Sequence, residues 1–206
     1  MEIITSESHR KSKLRFYWLG AAVVGLAISA WSAMDMIHLT EQEKLWGYRP
    51  LTLLFWSYFS ISFVWSGLRH IDDLKTKNYL LATIAGILLG ISFPPLPFLI
   101  LIIPAWTLVY SIVHRVSRES VGYQFRLYFH LFLIWNIIAT YWISNTAFAA
   151  GIAAMLANAF LMTLPLLVFG ILSKKTPTKF HFILIVACWI TFEYFHFRWE
   201  APWPWL

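Results

Sequence analysis

Charge is what this sequence has least of. Asp, Glu, Lys and Arg make up only 13% of its 206 residues, against roughly 25% in an ordinary soluble domain. That is too little to cover a water-facing surface when 59% of the chain is hydrophobic. Cysteine is almost absent as well. Cys188 stands alone, so no intrachain disulfide and no cysteine-based metal cluster can form. There is no Gly-rich phosphate loop, no zinc-binding spacing, no internal repeat and no low-complexity linker. Nucleophilic catalysis is excluded on similar grounds. Cys188 lies inside an apolar run with no basic neighbour to activate it, and Ser57, Ser60, Ser62 and Ser66 have no histidine or acid at a useful spacing.

The chain does contain long apolar runs. Five of them, Phe16–Met34, Leu51–Leu68, Leu127–Ile143, Ala147–Leu172 and Phe180–Phe197, are 17 to 26 residues long. A helix needs about 20 residues to cross a bilayer core. The runs are expected to be helical, because lipid offers no partner for an open strand edge. A shorter pair, Tyr79–Phe93 and Phe98–Val113, has 15 and 16 residues and is joined by Pro94-Pro95-Leu96-Pro97. Proline lacks the donor that continues a helix, so the chain turns there. The pair is either two short tilted spans or a re-entrant hairpin, and in both cases it returns to its starting side. The expected fold is all-α: a polytopic transmembrane helix bundle of about seven spans, five plus the short Pro-turned hairpin.

Lys and Arg set the orientation. Arg10, Lys11, Lys13 and Arg15, then Arg69, Lys75 and Lys77, then Arg115, Arg118 and Arg126, then Lys174, Lys175 and Lys179 fall on one side, 13 in all. Only Lys44, Arg49 and Arg198 fall on the other, 3 in all. The positive-inside rule therefore places the N-terminus in the cytoplasm and the C-terminus outside. The net charge of +6 is explained by these loops, so no nucleic-acid partner is implied. The first run is long for a signal-peptide core and reads as an uncleaved span. The chain closes on Ala201-Pro202-Trp203-Pro204-Trp205-Leu206 with no polar tail, which reads as a cut within a longer protein.

Polar residues inside the runs need a reason, since a charge at a helix centre costs about 2.5–3.5 kcal/mol on insertion scales. Glu193 lies about one turn from the outer end of the last run. It is either a polar anchor shaping a site at the outer leaflet or a carboxylate paired with His196 or Arg198. Glu193 and His196 also match half of a carboxylate metal site, but no other span supplies the remaining carboxylates, so no metal and no cofactor is expected. Asn136 and Asn158 read as interhelical hydrogen-bonding groups. His130 reads as a core histidine or one facing headgroups, and Pro104 and Pro165 as helix kinks.

Four stretches carry a resemblance. Ala85-Gly86-Ile87-Leu88-Leu89-Gly90-Ile91-Ser92-Phe93-Pro94-Pro95 is the first, and Trp135-Asn136-Ile137-Ile138-Ala139-Thr140-Tyr141-Trp142-Ile143 the second. Ala157-Asn158-Ala159-Phe160-Leu161-Met162-Thr163-Leu164-Pro165 follows, and then Trp189-Ile190-Thr191-Phe192-Glu193-Tyr194 with Trp203-Pro204-Trp205-Leu206. In this order and spacing, residues Tyr79 to Leu206 resemble the membrane domain of apolipoprotein N-acyltransferases. His196, where many members have arginine, resembles the Bacteroidetes branch. Residues 1–78 then form an extra two-span region and residues 79–206 an acyltransferase-like membrane domain.

The resemblance implies a two-step acyl transfer, from a phospholipid to a cysteine thiolate and then to the α-amino group of the diacylglyceryl-cysteine of an apolipoprotein. The family performs it with a Glu-Lys-Cys triad in a periplasmic nitrilase-like domain. None of those triad residues is expected in this chain, and Cys188 is not that nucleophile. The implied partners are membrane phospholipids and the apolipoprotein substrate, at a bacterial inner membrane. Trp142, Glu193, Trp203 and Trp205 are the expected rim of a lateral lipid entrance. The rival reading is a free-standing, non-catalytic membrane module for lipid binding or assembly.

Overall fold

The computed structural model describes residues 2–68, 73–93 and 97–198. Among them are seven α-helices and no strand: α1 (Glu2–Glu41), α2 (Arg49–Leu68), α3 (Asp73–Ile91), α4 (Ile102–Val116), α5 (Val121–Thr140), α6 (Phe148–Leu172) and α7 (His181–His196). Short 3-10 turns precede α4 and α7, and a third, Tyr141–Asn145, joins α5 towards α6. The chain is thus an all-α polytopic membrane protein. Five stretches are long and apolar enough to cross a bilayer: Phe16–Glu41, Leu99–Val116, Val121–Asn145, Phe148–Leu172 and Thr178–His196. α2 and α3 lie outside that set. α2 still has 20 residues, about 30 Å of helix, whereas the first turns of α3 carry Asp73, Lys75, Lys77 and Asn78. The Pro94-Pro95-Leu96 turn lies outside the described residues.

The apolar surface is turned outwards. Leu156, Phe160, Leu164 and Val168 follow one another every four residues along α6, and Phe182, Val186 and Ile190 run along α7, all exposed. An apolar row at helical spacing that faces away from the protein interior is the arrangement lipid requires and water opposes.

Two compact units divide the chain: Met1–Lys75 with Tyr141–Gly151, and Thr76–Thr140 with Ile152–Leu206. The first is built on a hairpin of α1 and α2. Ala22, Ser29, Ser32 and Met36 are buried along one face of α1, with Gly25 among them so close to α2 that a Cβ there would collide with Ser60 Oγ. The serine hydroxyls on this face are satisfied locally: Ser29 Oγ donates to Gly25 O at 2.9 Å and Ser60 Oγ to Trp56 O at 2.7 Å. At one end Trp18 packs on Phe63, with centroids 5.4 Å apart. At the other Arg49 Nε donates to Asp35 Oδ2 at 2.7 Å, and Ser32 Oγ donates to Arg49 O at 2.9 Å. The helix end is closed by a Schellman motif. Lys44 N–H donates to Leu39 O and Glu43 N–H to Thr40 O, which forces Glu43 to φ 54°.

The second unit is organised around α5, whose Leu127, Tyr128, Leu131, Phe132, Ile134 and Asn136 are all buried. Gly86 and Gly90 of α3, four residues apart, let it approach α5 closely. A Cβ on Gly86 would lie 2.6 Å from Leu131 O, and one on Gly90 would lie 2.6 Å from Ile138 Cβ. Asn78 Nδ2 donates to Tyr123 Oη at 3.1 Å, and Thr83 Oγ1 lies 2.8 Å from His130 Nε2. His130 is therefore a core histidine. α6 is joined to α5 by a buried amide pair: Asn158 Nδ2 donates to Asn136 Oδ1 at 2.7 Å, and Asn136 Nδ2 donates to Phe132 O at 2.8 Å. The expected interhelical role of both asparagines holds. Pro165 lies inside α6. Pro104 stands near the start of α4, which follows directly on the 3-10 turn Leu99–Leu101.

These contacts generate two predictions. Asn158→Leu strands the Asn136 carbonyl in the core and should destabilise the protein by about 1–3 kcal/mol, while the double variant with Asn136→Leu should recover much of that loss. Unfolding in detergent with a double-mutant cycle measures both. Gly86→Ile should disrupt α3–α5 packing at a cost of roughly 1–3 kcal/mol, whereas Gly20→Leu, where nothing lies within 4 Å of the Cβ, should leave the melting temperature in place.

Candidate functional site

The last helix gathers the polar and aromatic groups. Glu193 lies in the final turn of α7, where the partial negative charge of the helix end opposes a carboxylate. Compensation comes from one turn back. Trp189 Nε1 donates to Glu193 Oε1 at 2.8 Å, a charge-assisted bond of a kind worth roughly 1.5–3 kcal/mol. Arg198, one of the two partners expected for Glu193, instead places its guanidinium 4.2 Å from the Tyr194 ring centroid. The other, His196, stacks on Phe192 with centroids 5.4 Å apart and planes at 25°.

Trp189 is itself held by rings from two other helices. Trp106 of α4 meets it edge-on at 4.6 Å, and Phe132 of α5 packs at 5.7 Å. Trp135 completes the group, 6.3 Å from Trp106 and 6.0 Å from Phe132. The Trp135 indole nitrogen is buried with no hydrogen-bond partner among the described residues. The rings hold Trp189, and the indole donor of Trp189 in turn fixes the half-buried Glu193 carboxylate. Among the described residues no three His, Cys, Asp or Glu side chains stand close enough to hold a metal ion.

Trp142 belongs to the other unit, in the 3-10 turn Tyr141–Asn145, and is 41% exposed. Its turn is compact. Ser144 is fully buried, and a Cβ on Gly151 would lie 2.8 Å from the Ser144 backbone. The turn also packs against the α1–α2 loop: Tyr141 on Tyr48 at 5.7 Å, Phe148 edge-on to Trp46 at 6.0 Å, and Asn145 Nδ2 donating to Gly47 O at 3.1 Å. Trp203 and Trp205 lie outside the described residues. Sequence reasoning does not reach Trp189 as the partner of Glu193, nor Trp106 and Trp135 as members of the ring cluster that holds it. Only the four-residue spacing of Trp189 and Glu193 could have signalled any of them.

Comparison with known proteins bears on the same stretch. Residues 85–206 match the family described as the apolipoprotein N-acyltransferase N-terminal domain. The apolipoprotein N-acyltransferase of Chlorobaculum tepidum is 28% identical over 137 residues, which cover 66% of this chain and 26% of that protein. The chain thus spans about a quarter of the length of the curated relative it matches. No solved structure matches it. The family match covers α4 to α7 and part of α3, including Trp142, the Asn136–Asn158 pair and Glu193, and the chain belongs to the apolipoprotein N-acyltransferase N-terminal domain family.

Proposed function

We propose that this chain is the membrane portion of an enzyme that transfers a phospholipid acyl chain to the α-amino group of the diacylglyceryl-cysteine of apolipoproteins. The observation that carries the reading is the family match over residues 85–206. On this reading the chain sits in a bacterial inner membrane with all seven helices as spans, its N-terminus cytoplasmic and its C-terminus periplasmic. The Lys and Arg distribution supports that orientation.

The membrane portion has two tasks here. It anchors the catalytic machinery at the periplasmic face, and it shapes a lateral entrance through which lipid reaches that face. Trp142, Glu193, Trp203 and Trp205 are the residues assigned to that entrance from the sequence. Two features support this role for the described pair. Trp142 is a partly exposed indole at a helix end, the position where indoles favour the headgroup region. Glu193 is a carboxylate fixed by the Trp189 indole, suited to holding a polar headgroup or an ammonium group. The division into an extra region at 1–78 and an acyltransferase-like domain at 79–206 belongs to the same proposal. No residue in this chain is assigned a catalytic role, so the purified chain by itself should transfer no acyl group to a diacylated lipopeptide.

Two measurements test the reading. Alkaline phosphatase fused after Leu206 should be active and a cytosol-dependent fluorescent reporter at the same point dark; the reverse pattern removes the periplasmic C-terminus and the enzyme reading with it. A fluorophore attached at position 142, through Trp142→Cys in a Cys188→Ser background, should be quenched by nitroxide lipids labelled near the headgroup. Quenching by aqueous iodide alone would remove Trp142 from the lipid rim.

A further inference from the structure

The α1–α2 hairpin lies before the family-matched residues, yet its loop is where the Trp142 turn finds its tertiary partners. Three successive loop residues meet three points along the turn in antiparallel order. Tyr48 packs on Tyr141, with ring centroids 5.7 Å apart. Gly47 O accepts from Asn145 Nδ2. Trp46 meets the edge of Phe148. These contacts run from the first residue of the turn to the first residue of α6, and residues Tyr141–Gly151 group with the hairpin rather than with the helices that flank them in sequence.

The loop has the character of a preformed grip. Trp46 Nε1 donates to Thr40 Oγ1 at 2.8 Å, and Thr40 Oγ1 donates to Met36 O at 2.8 Å, so the indole is tied back to α1. Gly47 takes φ 58°, a left-handed conformation that costs glycine little and other residues more. Arg49, the first residue of α2, is pinned through its side chain to Asp35 and through its carbonyl to Ser32. Each residue that touches the turn is therefore flanked by an anchor within the hairpin. A partner ordered in advance loses little entropy on forming the contact.

We propose that the α1–α2 hairpin is the positioning element of the Trp142 turn, with Trp46, Gly47 and Tyr48 as a three-point clasp that fixes where the Trp142 indole stands. None of the clasp residues touches substrate; they act through the turn. The clasp holds the turn whatever the turn does, and its importance for lipid entry rests on the rim reading given above. The extra region is then a working part of the membrane domain.

The test uses the full chain in lipid nanodiscs with a nitroxide at position 142 (Trp142→Cys, Cys188→Ser) and, in a second sample, at position 160 on α6 (Phe160→Cys, Cys188→Ser). With the clasp intact the label at 142 should give a broad, immobilised spectrum. Trp46→Ala combined with Asn145→Ala should speed its motion several-fold and leave the label at 160 unchanged, while Trp46→Phe, which keeps a ring against Phe148, should restore the immobilised spectrum. An unchanged label at 142 overturns the proposal. So does a parallel loosening at 160, which would make the loop a general stability element. The lipid reading fails separately, when the label at 142 is immobilised but unreachable by nitroxide lipids in the quenching experiment.

Discussion

Helices already inside a bilayer gain little from the hydrophobic effect by touching one another, because lipid tails are as apolar as leucine. Association must then come from close fit and from a few hydrogen bonds, and the protein is arranged accordingly. Gly25 admits α2 to within contact of the α1 backbone, and Gly86 and Gly90 do the same for α3 against α5. Between α5 and α6 an amide pair, Asn136 with Asn158, supplies the hydrogen bond. One row of large apolar side chains on each of α6 and α7 is left on the outside, where it meets lipid.

The carboxylate of α7 obeys the same rule against unmet polarity. Glu193 sits at the helix end least favourable to an anion, and its indole donor comes from its own helix. That bond is only as firm as the placement of Trp189, which depends on rings from α4 and α5. Charge placement and ring packing are thus one structure. The indole of Trp135 departs from the rule, a buried donor without an acceptor among the described residues, and polar groups in that state are few in folded proteins.

Much of this was legible in the sequence because lipid simplifies the code. Apolar run length gave the helices, and isolated amides inside the runs marked Asn136 and Asn158 as interhelical partners. What local sequence does not encode is register between segments far apart. Gly86 and Gly90 carry the small-residue spacing of a close helix crossing, but nothing nearby names α5 as the partner. Trp106 and Trp189 come together only once α4 and α7 are adjacent. The grouping of residues 141–151 with the first hairpin is the extreme case, because its contacts join segments that the chain itself separates by four helices.

The contact between Asn145 and Gly47 joins residues 98 positions apart. A ribosome adding about 5–20 residues per second makes the loop roughly 5–20 s before it makes the turn. The first hairpin is therefore already synthesised while its counterpart is still being translated. It waits as a finished mould, and the later segment is cast against it. The order of synthesis thus suits the division of labour in the folded protein, since the half that holds is born before the half that is held.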